Sequence, residues 1–304
     1  MRRHRRKDLF APDRGLQARM LFAAVATPLV VLVSLAVIVL IAPTKLVIGV
    51  GIAAVIGVSG ALKERNQRPQ AQPVSAEEAP GLHATVERLC VVADLPKPEI
   101  VIEPEKQPNS WIVGLSRGRA RLHVTEGLLT LLSPTELEAV IGHELAHLAH
   151  RDAAVMTAVG GPGAVLLDGG RRSARGGWWF GMFGGAVAVA VGWVSQLGTQ
   201  ALSRHRELAA DAGSAALTGR PASLASALRR ISGELRLIPD EDLRLAAYRD
   251  VFHLLPVEDA DDSWLGHVTA THPPLATRIE RLERLERALQ SARPAPPDVQ
   301  GGRS

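Results

Sequence analysis

At 304 residues and 32.4 kDa, with 46% hydrophobic residues, 22% charged and a mean hydropathy of +0.09, the chain is too apolar for a disordered polypeptide or a nucleic-acid tail. A single cysteine, Cys90, excludes an intramolecular disulfide framework. The formal charge is +4 and the pI near 9.7, but much of the excess lies in Arg2, Arg3, Arg5, Arg6 and Lys7, so the basicity reads as membrane topology and not as a nucleic-acid footprint.

Residues 21–42 (LFAAVATPLVVLVSLAVIVLIA) carry no charge and are long enough, at 1.5 Å per residue, to cross a hydrocarbon core of roughly 30 Å. A cleaved signal peptide is the competing reading, and a second apolar run at residues 46–62 argues against it. Pro43-Thr44-Lys45 between the runs has room only for a tight turn, so the pair predicts a transmembrane helical hairpin. Its outer flanks are basic, with Lys63, Arg65 and Arg68 on the second side, which puts both ends in the cytoplasm.

Residues 63–74 read as a linker, and a folded segment follows at 75–288. Ser75-Ala76-Glu77-Glu78 has the spacing of a helix capping box, with Leu82, Val86, Leu89 and Ala93 at helical period behind it. Residues 99–103, 110–115 and 119–125 are short and β-rich, and predict a small sheet. Ser133-Pro134-Thr135-Glu136 starts another helix, which carries the chemistry. An apolar insertion occupies residues 153–199, its first stretch broken by Gly160-Gly161-Pro162-Gly163. A re-entrant or surface hairpin and two full spans fit it equally, because two spans would put Arg171, Arg172 and Arg175 on the far side. Leu275, Ile279, Leu282, Leu285 and Leu289 mark a last amphipathic helix, and residues 289–304 have the composition of a disordered tail.

His143-Glu144-Leu145-Ala146-His147 has the HExxH form. Two imidazoles four apart on a helix lie on one face, close enough to hold one ion, with Glu144 projecting toward its open side. A catalytic zinc needs a third protein ligand and an open position. His150 lies about 10 Å along the axis from His143, too far to share the ion. Glu207 and Asp211, one helical turn apart, are the better source, one carboxylate ligating while the other accepts from the distal N–H of a ligand histidine. His272, in Thr271-His272-Pro273-Pro274, offers a donor for the oxyanion or simply caps the last helix. A free edge among residues 99–125 could receive an extended polypeptide, or be shielded by the domain's own loops. Glu136, Glu138, Arg151 and Asp152 on or beside the motif helix weigh against a site inside the bilayer.

HELAHLAHRD, an apolar insertion, SRHRELAAD, then Thr271-His272-Pro273-Pro274 with Arg278-Ile279, together with the N-terminal hairpin and the segment VTEGLL at 124–129, resemble the HtpX-type membrane metallopeptidases, relatives of the Ste24 prenyl-protein proteases and the Oma1 proteases. The resemblance covers roughly residues 20–288. It implies one zinc per chain held by His143, His147 and Glu207, Glu144 as catalytic base and Asp211 behind the ligands. It also implies that Asn109-Ser110-Trp111 is a strand near the cleft that meets substrate. The implied setting is a multi-pass protein of the cytoplasmic membrane with its site facing the cytoplasm. Its substrates would be polypeptides, misfolded membrane proteins among them, and no nucleic acid is a partner. The expected fold class is α+β: a mainly helical zincin-like (gluzincin-like) metallopeptidase domain with a small sheet, preceded by the hairpin of residues 21–62 and a basic N-terminus at 1–20. The non-enzyme alternative is a catalytically silent, membrane-anchored zinc-binding scaffold or sensor. Glu144 speaks against it, since a structural zinc site needs no base and is usually closed by a fourth ligand, often Cys.

Overall fold

The computed structural model of the chain describes residues 14–41, 44–67, 72–114, 116–176, 179–235 and 272–291. The basic residues 2–7, the turn residue Pro43, Thr271 and residues 292–304 of the tail lie outside them. Nine helices and three strands are described: α1 (Arg14–Ile41), α2 (Thr44–Gln67), α3 (Pro80–Ala93), β1 (Glu99–Glu103), β2 (Ser110–Val113), β3 (Arg121–Thr125), α4 (Glu126–Leu131), α5 (Pro134–His150), α6 (Asp152–Ala174), α7 (Trp179–Thr218), α8 (Pro221–Leu235) and α9 (Leu275–Ser291). The protein is mainly helical with one small mixed sheet.

Helices α1, α2, α6 and α7 pack as an apolar bundle around Val31, Val50, Ala53, Leu166, Ala188 and Val191. The helices approach so closely that side chains would not fit between them. A Cβ at Gly163 would sit 2.2 Å from Ser195 Oγ, one at Gly184 2.5 Å from the Gly49 backbone, and one at Gly198 2.1 Å from Thr27 Oγ1. This explains why α6 runs unbroken through Gly160-Gly161-Pro162-Gly163, a stretch whose composition suggests a break. Its small residues serve contact with α7, and that contact holds the helix across the proline. The bundle is apolar outside as well as inside: Phe22 is 75% exposed and Leu40 81%, with Leu32, Val55 and Phe183 also exposed. Among the described residues, 181–218 of α7 form the one helix long and apolar enough to cross a membrane by length and composition, with shorter apolar helices at 24–40 and 44–60.

The second unit is built on the sheet, in the order β1-β3-β2. The central β3 pairs parallel to β1, with Ile100 opposite Leu122, and antiparallel to β2, with Ser110 opposite Val124. Val74 donates its amide to the Ile100 carbonyl at 2.8 Å and so covers part of the outer edge of β1. The outer edge of β2 has no strand partner among the described residues. Leu122, Val124 and Leu128 meet Val140, Ile141 and Leu145 of α5, Leu89 of α3, Leu224, Leu228 and Ile231 of α8 and Leu282 of α9 in one core.

Two local expectations shift. Ser75 and Glu78 do exchange capping bonds, at 2.7 and 3.3 Å, but they close a turn and the helix begins at Pro80. A residue before proline is disfavoured in the helical region, and Ala79 sits at φ −135°, ψ 60°, so no helix runs continuously from Ser75 into α3. The presumed linker is helical as far as Gln67, and the presumed tail as far as Ser291.

Helix α5 is the best anchored element. Ser133 and Glu136 form a full capping box, and Pro134 opens the helix. Burial pushes the Glu136 carboxyl up, but bonds from Ser226, from the Ser133 amide and hydroxyl and from Arg230 outweigh it and hold the group at about 2. Glu136 therefore ties α5 to α8 as well as capping it. Because its folded value lies below its ordinary 4.5, its contribution is full above that value and is lost as pH falls toward about 2. Glu136→Gln is expected to cost about 1–2 kcal/mol at pH 7. Thermal unfolding of both proteins in detergent between pH 7 and pH 3 should show the deficit narrowing with acid; a deficit independent of pH would exclude the ionised carboxylate as its source.

Candidate metal centre

The site forms where α7 lies against α5. Gly142 makes the approach possible: a Cβ there would lie 3.2 Å from Ser214 Oγ, and that hydroxyl donates to the Ala139 carbonyl of α5 at 2.6 Å. The contact fixes the register of the two helices. One turn of α7 back from Ser214 stands Asp211, and one further turn back Glu207, facing the histidines of α5.

His143 Nε2 and His147 Nε2 are 3.1 Å apart. Glu207 Oε2 lies 3.6 Å from His143 Nε2, and Glu207 Oε1 lies 3.4 Å from His147 Nε2. A tetrahedral ion with bonds of about 2.1 Å has ligand-to-ligand edges of roughly 3.4 Å, so this triangle matches three ligand positions of such an ion. One ligand atom from each residue can be drawn from a set lying within 4.8 Å of one another. Glu207 Oε2 is buried and, apart from the ion pairs it makes, takes part in no hydrogen bond among the described residues.

The far nitrogens of both rings face carboxylates. His143 Nδ1 is 3.0 Å from Asp211 Oδ1, and Asp211 receives two bonds from Arg278, from Nε at 2.9 Å and from Nη2 at 2.7 Å. His147 Nδ1 is 2.6 Å from Asp152 Oδ2, whose other oxygen is ion-paired with Arg206. Arg278 is 0% exposed and also lies 3.3 Å from Glu207. His272 Nδ1 is 3.4 Å from Glu207 Oε2, which puts this buried imidazole on the Glu207 side of the cluster.

Glu144 is buried beside the histidines and accepts a hydrogen bond from Ser110 Oγ at 3.0 Å. Burial pushes its carboxyl up, against the pull of His143, His147 and the Ser110 hydroxyl. Burial opposes charge on His143 and His147, yet Asp211 and Glu207 around the first, and Glu207 and Glu144 around the second, hold both imidazoles above their ordinary 6.5. The reason is a charge imbalance. Among the described residues the buried carboxyls of Glu144, Asp152, Glu207 and Asp211 stand against Arg206, Arg278 and the imidazole of His272, so acidic groups predominate around His143 and His147. Imidazole protons or a dication offset that charge, and the donor set suits a dication.

The sequence-predicted residues thus divide. His143, Glu144, His147, Glu207, Asp211, His272 and Ser110 converge. Asn109 immediately precedes β2, its backbone N–H donating to Thr125 Oγ1 at 2.9 Å, and Trp111 stacks on His123 at a centroid distance of 4.9 Å. His150 lies outside the cluster, half-buried and pushed down to about 4 first by burial and then by His147, Arg206 and Arg117. Asp152, Arg206 and the inward placement of Arg278 were not foreseen. Asp152 did carry a signal: with Arg151 in the left-handed region (φ 58°) closing α5, the next residue turns back toward His147.

Known proteins are similar to the chain along most of their length. Over 224 residues the chain is 41% identical to protease HtpX homolog 2 of Methanosarcina mazei, covering 70% of this chain and 74% of that protein. It is 41% identical over 234 residues to protease HtpX homolog 1 of Streptomyces coelicolor (73% and 76%), and 40% identical over 237 residues to the protease HtpX homolog of Moorella thermoacetica (73% and 78%). Among solved structures, the crystal structure of S. mikatae Ste24p superposes with a TM-score of 0.46 at 18% identity, covering 70% of this chain and 51% of that one. The model of Peptidase family M48 matches residues 76–286, which contain every residue of the cluster, and the chain belongs to that family.

Proposed function

We propose that the protein is a membrane-anchored zinc endopeptidase that holds one zinc on His143, His147 and Glu207 and uses Glu144 as its base. The single observation that carries this reading is the buried triangle of ligand atoms, 3.1, 3.4 and 3.6 Å on its edges, with a carboxylate outside it. The names of the relatives, all proteases, favour turnover over a silent scaffold or sensor. When bound, zinc lowers the pKa of a water in its open position and polarises the scissile carbonyl.

Glu144 accepts the proton of the attacking water and later delivers it to the departing amine nitrogen, serving as base and then acid. The Ser110 hydroxyl occupies Oε1 and leaves Oε2 for that proton. His272, beside Glu207, offers its imidazole to the negative charge that develops on the carbonyl oxygen. Asp211 orients His143. The outer edge of β2, with Ser110 and Trp111, would receive an extended polypeptide as an added strand, giving backbone recognition with little sequence preference. Such breadth suits removal of misfolded membrane proteins.

The exposed apolar shell of the four-helix bundle supports a bilayer as its surroundings. The pairing of α6 and α7 supports two full spans: Gly160 meets Thr199 near one end and Gly170 meets Gly185 near the other, while Gly198 meets α1 and Gly184 meets α2. Both hairpins therefore occupy the same depth. The flanking charges put the catalytic unit in the cytoplasm.

Glu144→Gln is expected to keep about one zinc per chain and to cleave casein about 10²–10⁴-fold more slowly. Glu207→Ala is expected to lose the metal. If wild type holds zinc without cleaving any of several unfolded substrates, the scaffold reading takes its place. Since the metal-free imidazoles hold protons above their ordinary range, zinc must displace them, and affinity should fall as pH drops through that range. Titration calorimetry near pH 6.5 in buffers of different ionisation enthalpy should find protons released as zinc binds. Topology is open to cysteine labelling, because Cys90 is buried and Cys90→Ser gives a cysteine-free background. Thr44→Cys and Gly176→Cys should react with a membrane-impermeant maleimide in intact cells and Ser75→Cys should not; a protected Gly176→Cys would instead mean a re-entrant hairpin.

A further inference from the structure

We infer that Asp152 and Arg206 form a positioning pair for His147, through which the packing of α6 against α7 sets the geometry of the metal centre. The inference rests on the metal-centre reading and extends it to two residues outside the ligand set.

Asp152 is the first residue of α6, directly after the chain reverses at Arg151, and Arg206 stands next to Glu207 on α7. Both are buried, at 7% and 4% exposure. Asp152 uses Oδ2 on His147 Nδ1 at 2.6 Å and Oδ1 on Arg206, so the carboxylate is clamped on both oxygens. Accepting from Nδ1–H selects the tautomer that leaves Nε2 bare, and Nε2 is the atom that faces Glu207 and His143. A buried aspartate beside a neutral ring would carry an uncovered charge, and Arg206 covers it. His143 is served by a separate pair, Asp211 of α7 with Arg278 of α9. The two histidines are therefore aimed by different carboxylates. Only the His147 arm runs through the junction where the apolar helices join the catalytic helix.

Zinc affinity is the readout, measured by chelator competition on detergent-purified full-length chain, with kcat/KM at saturating zinc alongside. Asp152→Ala is expected to bind zinc about 10–100-fold more weakly while recovering much of its activity when zinc is in excess. Arg206→Ala should weaken binding in the same direction, and Arg206→Lys should restore most of it. Because Arg206 acts through Asp152, the double variant should bind no more weakly than Asp152→Ala alone. Asp152→Asn carries the same test if Asp152→Ala does not fold.

The inference is overturned if Asp152→Ala or Asp152→Asn binds zinc as tightly as wild type, or if Arg206→Ala lowers affinity as much in the Asp152→Ala background as it does alone. Failure of the metal-centre reading looks different. There wild type holds no zinc, or His143→Ala holds it as tightly as wild type, and the positioning pair falls with it.

Discussion

A buried pocket in which carboxyl groups outnumber guanidiniums constrains this molecule more than any other feature. Charges at that depth are tolerated only when paired, and four carboxyls against Arg206 and Arg278 leave negative charge for the imidazoles or a cation to meet. The surroundings act on this imbalance from four directions. Helix α5 supplies both imidazoles and Glu144, α6 supplies Asp152, α7 supplies Glu207, Asp211 and Arg206, and α9 supplies Arg278. Each element brings charge that would be costly alone, and the core beneath, from Leu122 and Val124 to Leu145, Leu228 and Leu282, keeps the charges within reach of one another. A dication between His143, His147 and Glu207 would offset that charge.

The steric condition for that arrangement is small. If Gly142 carried a side chain, Ser214 would have to give way, the bond to the Ala139 carbonyl would lengthen, and α7 would stand off from α5. Glu207 is seven residues from Ser214, nearly two full turns, so it shares its face and would move with it. The same logic recurs in the apolar bundle, where Gly163, Gly184 and Gly198 let backbone meet backbone or hydroxyl. Close approach through glycine links the two halves of the protein by one means.

What could be read from the sequence follows from which features are local. The four-residue spacing of His143 and His147, the same spacing of Glu207 and Asp211, and the Ser133 to Glu136 box are properties of a single helix, and each appears as its period requires. Partners that come together only in the folded chain left weaker traces. Asp152 is five residues past His147 and finds it only because Arg151 takes a left-handed conformation. Arg278 reads as one of several arginines on an amphipathic helix, and nothing in that periodicity marks it as the residue that enters the core. Ser110 drew notice as part of a strand near the cleft, while its bond to Glu144 depends on how the sheet rests on α5. Pro80 shows the opposite error: a local capping signal at Ser75 was genuine, but a neighbouring residue decided where the helix began.

Continuity of α7 then has a physical consequence. The helix runs 40 residues, from Trp179 among the apolar helices to Thr218 in the catalytic core, without a break between Gly198, where it touches α1, and Glu207, beside the histidines. A helix transmits tilt and rotation rigidly over the nine residues between those points, which at 1.5 Å per residue is about 13 Å. Helix α6 leaves the end of α5 through a single residue, so it too has little slack. Any rearrangement of the bundle must therefore be absorbed at the contact of α5 with α7, where Glu207 meets His147. Among the described residues, α6 and α7 thus run from the bundle to the cluster without interruption, and the geometry of the cluster is tied to the packing of the bundle.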